Sequence, residues 1–123
     1  MERSHPHRFT KTNRLLAAAS FARVFDKASR SRDKWFTVLC RRNDLHVARL
    51  GLAISKKHCK LAVDRNRIKR IIRESFRGRQ ACLEGLDIVV MNKISAGEAA
   101  NEALFSSLDT HWRNCEKAKA GGK

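Results

Sequence analysis

A two-layer α/β sandwich is the fold class the sequence predicts, and three observations lead to it. Stretches rich in β-branched, aromatic and aliphatic residues at 35–40, 47–55 and 87–92 have the length and composition of strands. Amphipathic segments at 61–78 and 95–117 separate and follow them. The chain has 123 residues, enough for one modest core but not for two. Strands interspersed with helices bury their apolar faces by packing the two as layers.

The elements follow in order. Residues 1–8, with His5-Pro6-His7, carry no periodicity and read as a flexible basic arm. Asn13 can cap a helix that starts near Arg14, along which Leu15, Leu16, Ala19, Phe21, Ala22, Val24 and Phe25 recur at roughly helical spacing. Arg30 to Lys34 reads as a charged turn or a short edge strand, with room for an extra strand near 28–33. Trp35 to Cys40 is a strand, and Asn43-Asp44 supplies a turn. Val47 to Ser55 is a second strand; Leu50 to Ile54 is so apolar that it should be central and covered.

Leu61 to Gly78 is the strongest helix, and Asp87 to Asn92 a further buried strand. Ser95 and Glu98 have capping-box spacing for a last helix that runs to Lys117, with Ala99, Ala103, Leu104, Leu108 and Trp112 along one face. The order is α-β-β-α-β-α, with an optional short strand. It forms a single domain over 9–117, and residues 118–123 are expected to be a disordered tail.

Charge narrows the function. The formal net charge is +15. Residues 1–79 hold 22 Lys and Arg against 6 Asp and Glu, whereas residues 80–123 hold 5 against 6. The whole excess precedes Gln80, so the C-terminal third is scaffold. So large a charge opposes compaction and calls for a polyanionic partner, nucleic acid first and an anionic membrane surface second. Cys40, Cys59, Cys82 and Cys115 lack zinc-site spacing, so no metal site is expected. A polar, basic N-terminus and the lack of any membrane-length apolar run point to a cytoplasmic protein with reduced thiols.

The segment 65–77 carries the sharpest signal. At about 100° per residue, Ile68, Ile71, Ile72, Ser75 and Phe76 share one arc, while Arg65, Asn66, Lys69, Arg70, Arg73 and Arg77 share the other. Only Glu74 interrupts the cations. An ordinary solvated helix mixes signs to gain i,i+4 pairs, and this one accumulates repulsion instead. Guanidinium forks suit phosphate oxygens, and counterion release on binding offsets the repulsion. Lys56-Lys57 and Lys60 add charge just before the helix. Phe21 and Phe25, four apart, read first as core. Trp35 and Phe36 point to opposite faces if both lie in a strand, which leaves one available for stacking on an unpaired base.

Taken together, Arg65-Asn66-Arg67-Ile68-Lys69-Arg70 and Arg73-Glu74-Ser75-Phe76-Arg77 closely resemble the RNR signature of the ribonuclease P protein family. Phe9 to Leu15, Phe21-Ala22-Arg23-Val24-Phe25 and Gly51 to Lys57 resemble its other landmarks, so the likeness spans roughly residues 9–115. One stretch departs from the pattern. Many members carry Gly-Asn-Ala-Val between the Lys-Lys pair and the RNR motif, where this chain has His58-Cys59-Lys60-Leu61-Ala62-Val63-Asp64.

The resemblance implies a ribosomal protein S5 domain 2-like sandwich with a left-handed βαβ crossover through the basic helix, where general chirality favours a right-handed one. It implies that Arg65, Asn66, Arg67, Lys69, Arg70 and Arg73 meet a catalytic RNA. Phe21, Phe25, Trp35 or Phe36, Lys56 and Lys57 would hold the single-stranded 5′ leader of precursor tRNA in a cleft between the sheet and the first helix. Arg14, Lys60 and Arg77 would add basic contacts. The active site and its Mg²⁺ would belong to the RNA, with no catalytic residue, organic cofactor or obligatory protein partner expected in this chain. The rival readings are a protein-only metallonuclease, which needs clustered carboxylates, and a basic ribosomal protein that binds rRNA.

Overall fold

Strand pairing sets the architecture. In the computed structural model, which describes residues 28–120, β1 (Ser29–Arg32), β2 (Phe36–Arg42), β3 (Arg49–Ala53) and β4 (Leu86–Asn92) form one sheet in the order β1-β2-β4-β3. The pairs β1/β2 and β2/β4 are antiparallel, and β3/β4 is parallel. A parallel pair needs a crossover, and helix α1 (Ala62–Arg77) provides it. Helix α2 (Asn101–Ala120) ends the described chain. The mixed α/β sandwich is as the sequence predicts. The helix expected over 14–25, the arm at 1–8 and the last residues, 121–123, lie outside the described residues.

The core sits between the sheet and the two helices. Phe36, Val38 and Cys40 of β2, Ile88 and Val90 of β4 and Leu50 of β3 face it. Ile68, Ile71, Ile72 and Phe76 of α1 and Leu104, Leu108 and Trp112 of α2 close it from the other side. Phe76 and Trp112 meet edge to face, and the Trp112 indole donates to Ser75 Oγ at 2.7 Å. The polar member of the predicted inward arc of α1 is therefore satisfied by the facing helix.

Three expectations are corrected. The apolar strand 47–55 is shorter, Arg49–Ala53, and lies at the sheet edge, while β4 is interior and almost wholly buried. Its apolar run alternates in size: Leu50 and Leu52 pack toward the helices, and Gly51 and Ala53 take the other face. Ser95 does not cap α2, because Ile94–Glu98 forms a separate 3-10 helix and α2 starts at Asn101. That helix then runs to Ala120, so residues 118–120 are helical rather than part of a tail.

The Asn43-Asp44 turn forms as expected. Asp44 takes a left-handed φ of 60°. The buried Asn43 accepts the Leu45 amide and donates from Nδ2 to Val47 O and Asp87 Oδ1. Arg49 grips the buried Asp87 through two bonds of 2.7 Å, locking the β2–β3 connection to β4. Gly85, at φ +87°, donates to Val47 O from a conformation that side chains disfavour.

Candidate nucleic-acid interface

Helix α1 stands on its apolar arc, and that arc decides what faces outward. With Ile68, Ile71, Ile72 and Phe76 buried, the opposite side presents Asn66 and Arg70 exposed and Lys69, Arg73 and Arg77 partly so. Asn66, Lys69, Arg70 and Arg73 have no hydrogen-bond or ion-pair partner among the described residues. A surface groove runs along this side, lined by Asn66, Arg67, Arg70 and Arg73 with Val63 and Asp64. Asp64, in the first turn, complements the positive end of the helix dipole.

Two residues of the cationic set behave differently. Arg65 Nη1 donates to Cys59 O at 3.0 Å and Lys60 O at 2.8 Å. Arg67 donates to Gly97 O at 3.0 Å, Ala99 O at 3.2 Å and Asn101 Oδ1 at 2.6 Å. Both guanidinium groups thus fasten α1 to neighbouring loops. Arg70 and Arg73 keep theirs available.

The lysine turn is held open by a small polar frame. Ser55 Oγ accepts the amides of Lys57 and His58, and Ser55 O accepts the Cys59 amide. Asn92 Oδ1, at the end of β4, accepts the Ser55 amide at 2.7 Å. Lys56, Lys57 and Lys60 project from this frame into solvent, beside the N-terminus of α1.

The aromatic expectations are altered. Phe36 is fully buried, edge-on to the His111 ring, and cannot stack on a nucleotide. Trp35 precedes β2 rather than belonging to it, so strand alternation does not set the two rings on opposite faces. An Asp33 turn, whose carboxylate accepts both the Trp35 and Phe36 amides at 2.9 Å, lays Trp35 half-buried at the margin of the same core. Lys34 Nζ lies 5.0 Å from its ring centroid, a cation–π contact. Arg14, Phe21 and Phe25 lie outside the described residues.

The sheet face away from the helices carries a cationic set that the sequence reading missed. Register places Arg30 beside Leu39, Arg32 beside Thr37, and Arg41 and Arg49 beside Asp87, all on the face where Leu39 and Val89 form a small apolar cluster. Arg30 and Arg32 are exposed. Period-2 alternation across 29–32 and 36–42 is the signal that would have found them.

Two arginines toward the C-terminal helix are balanced by carboxylates. Arg79 bonds Asp109 at 2.8 Å and Glu116 at 2.7 Å, and Arg113 bonds Asp109 at 2.6 Å. Under β1, His111 Nδ1 lies 2.6 Å from Ser31 Oγ and Nε2 3.2 Å from Asp33. Asn114 Nδ2 donates to the same serine oxygen at 2.9 Å. Burial pushes the His111 pKa below its ordinary value, against the pull of Asp33 and with a smaller push from Lys93. Burial also tends to raise the Asp33 pKa. The Ser107 hydroxyl, the two turn amides and His111 together outweigh it and hold the carboxyl below the usual range.

A small α/β domain in which the side chains of Lys69, Arg70 and Arg73 on one helix, the lysines of the turn before it, and Arg30 and Arg32 on one sheet face have no partner among the described residues belongs to the class of basic nucleic-acid-binding proteins. The sequence matches the ribonuclease P family over residues 9–116. It is 48% identical to the ribonuclease P protein component of Methylococcus capsulatus, over 91% of this chain and 90% of that one. It is 44% identical to that of Photobacterium profundum, over 92% and 96%. The structure is similar to the RNase P proteins of Staphylococcus aureus (TM-score 0.75, 32% identity, 81% of this chain and 92% of that one) and Thermotoga maritima (TM-score 0.73, 27% identity, 82% and 96%). The chain belongs to the ribonuclease P protein family.

Proposed function

We propose that the chain acts as the non-catalytic subunit of a cytoplasmic ribonucleoprotein that removes the 5′ leader from precursor tRNA. Asn66, Lys69, Arg70 and Arg73 meet the catalytic RNA, with Lys60 and Arg77 at the margins. Lys56, Lys57, Trp35 and the sheet face with Arg30 and Arg32 take the single-stranded leader. Phosphate contacts and stacking carry little base information, so the leader grip tolerates any sequence. The RNA holds Mg²⁺ and performs the hydrolysis. The protein lowers repulsion between anionic strands and raises substrate affinity.

The observation that carries this reading is the division of labour among the cations. Arg49, Arg65, Arg67, Arg79 and Arg113 are engaged within the fold, while Asn66, Arg70 and Arg73 line an exposed groove without partners among the described residues. The carboxylates Asp33, Asp87, Asp109 and Glu116 are likewise engaged by donors of the fold rather than gathered at the groove.

The test is cleavage of a precursor tRNA at low Mg²⁺ by protein alone, by ribonuclease P RNA alone, and by the two together. Cleavage in the combined sample, weakened by Arg70→Ala with Arg73→Ala, is the expected result. Cleavage by protein alone would establish a nuclease site in the chain. No stimulation of the RNA would favour binding to rRNA instead.

A further inference from the structure

Leu61 occupies the N-cap of α1, a position where Ser, Thr, Asp or Asn would accept a backbone amide. It makes no capping bond and is 62% exposed. Ile94, at the start of the 3-10 helix, is 71% exposed. Neither choice serves local stability, and both side chains line one groove. Its base is Cys59, which is 6% exposed, beside Gly97, where a Cβ would come within 3.3 Å of Cys59 Sγ. Lys57 and Lys60 stand at the rim.

The groove is braced in advance. Arg65 ties down the Cys59 and Lys60 carbonyls on one side, and Arg67 ties down those of Gly97 and Ala99 on the other. Asp64 lines both this groove and the one beside Asn66, Arg70 and Arg73, so the two are contiguous.

We infer that this groove receives one unpaired nucleobase of the catalytic RNA, an inference that rests on the RNA-binding reading of α1. A strand whose phosphates lie along Arg70 and Arg73 and reach Lys57 and Lys60 brings its bases to the groove mouth. Leu61 and Ile94 suit the faces of an unstacked base. Asp64 and Glu98, which also line the groove, repel a phosphate and accept hydrogen bonds from exocyclic amino groups. Charge complementarity therefore places backbone at the rim and base within. The segment that departs from the common family pattern, 58–64, builds one wall of this site.

The test uses the full chain with ribonuclease P RNA. Leu61→Ser with Ile94→Ser should weaken RNA binding about tenfold, on the scale of one lost base contact. The slope of affinity against salt should stay unchanged, since no cation is removed. One nucleotide shielded from a base-modifying reagent by the native chain should become reactive in the variant complex. Leu61→Phe should keep both the affinity and the shielding. Both altered side chains are exposed, and thermal melts of the double variant and of Leu61→Phe check that folding is intact.

Native affinity and shielding in the folded double variant, with Arg70→Ala still weakening binding, would overturn the inference while leaving the RNA-binding reading standing. If the native chain fails to bind the RNA, that reading falls and the inference with it. A loss confined to precursor tRNA would assign the groove to the leader and overturn it. Self-association of the native chain that the double variant abolishes would assign it to a second copy and do the same.

Discussion

Arg67→Ala and Arg70→Ala, three residues apart on one helix, should fail in opposite ways. Arg67 donates to Gly97 O, Ala99 O and Asn101 Oδ1 at 3.0, 3.2 and 2.6 Å. Hydrogen bonds from a charged donor contribute roughly 1.5–3 kcal/mol each when buried. Here the guanidinium is half-exposed and its acceptors regain water, so the whole substitution costs about 2 kcal/mol. At roughly 4 °C per kcal/mol for a domain of this size, the melting temperature falls by about 8 °C. Arg70 is exposed and has no partner among the described residues, so its loss changes stability by less than about 0.5 kcal/mol.

RNA binding inverts the pattern. Removing a phosphate contact lowers the slope of log affinity against log salt by about 0.7–0.9, and Arg70→Ala should show that change. Arg67→Ala, measured where it is still folded, should leave the slope near the native value. Thermal melts and a salt series of binding to ribonuclease P RNA read both effects. A full unit of slope lost by Arg67→Ala with an unchanged melting temperature would refute the assignment of its guanidinium to the loop carbonyls.

Three other outcomes are expected. Phe36→Ala should destabilise the fold by about 3–5 kcal/mol, as a fully buried ring would; a folded variant defective only in leader binding would restore Phe36 as a contact. Asp87→Ala strands Arg49 and the Asn43 amide and should cost about 3 kcal/mol, discounted for the part-exposed arginine, in a denaturant titration. Stability should fall as pH drops from about 6.5 through the lowered pKa of His111, because the unfolded chain takes up that proton first. Asp33, also lowered, loses its contribution only at more acid pH, near and below the ordinary carboxylate range. Melts of native chain and His111→Gln across that window check the sign, and an equal slope in both would remove His111 from the account.

Much of the fold was legible because each apolar run has one period and one length. The arc of α1, the interior β4, the Asn43-Asp44 turn and the face of α2 all follow from that. Two failures share a cause. Leu50 to Ile54 looks buried on both sides only if Gly51 and Ala53 count as apolar bulk, whereas they are small residues on the opposite face from Leu50 and Leu52. The Ser95 and Glu98 spacing satisfies a helix start equally well as a short 3-10 turn, and the structure takes the second, with Ala99 extended and Asn101 bonded to Arg67. In the candidate site, sequence located the cationic helix. It could not separate Arg65 and Arg67 from Arg70 and Arg73, because a guanidinium suits a carbonyl as well as a phosphate and the acceptors lie 30 or more positions away for Arg67.

That ambiguity is resolved by asking what keeps α1 folded. Like-charged neighbours such as Lys69 with Arg73 and Arg73 with Arg77 each oppose the helix by a few tenths of a kcal/mol. Burial of Ile68, Ile71, Ile72 and Phe76 each favours it by about 1.5–3 kcal/mol. The inward face outweighs the outward one several times over, so the fold tolerates an outward face whose composition it does not need. Cations that the fold does need have found acceptors: Arg49 in Asp87, Arg79 in Asp109 and Glu116, Arg67 in the loop carbonyls. Lys69, Arg70 and Arg73 have none among the described residues, and they stand together on one helix face where like charges repel. A face that weakens the protein alone and is retained at the mouth of a preformed groove is explained by what binds it. The removal of Arg70 or Arg73 therefore leaves the free protein as stable as before, or slightly more so, while RNA affinity falls, and that opposition of signs separates the binding face from the scaffold.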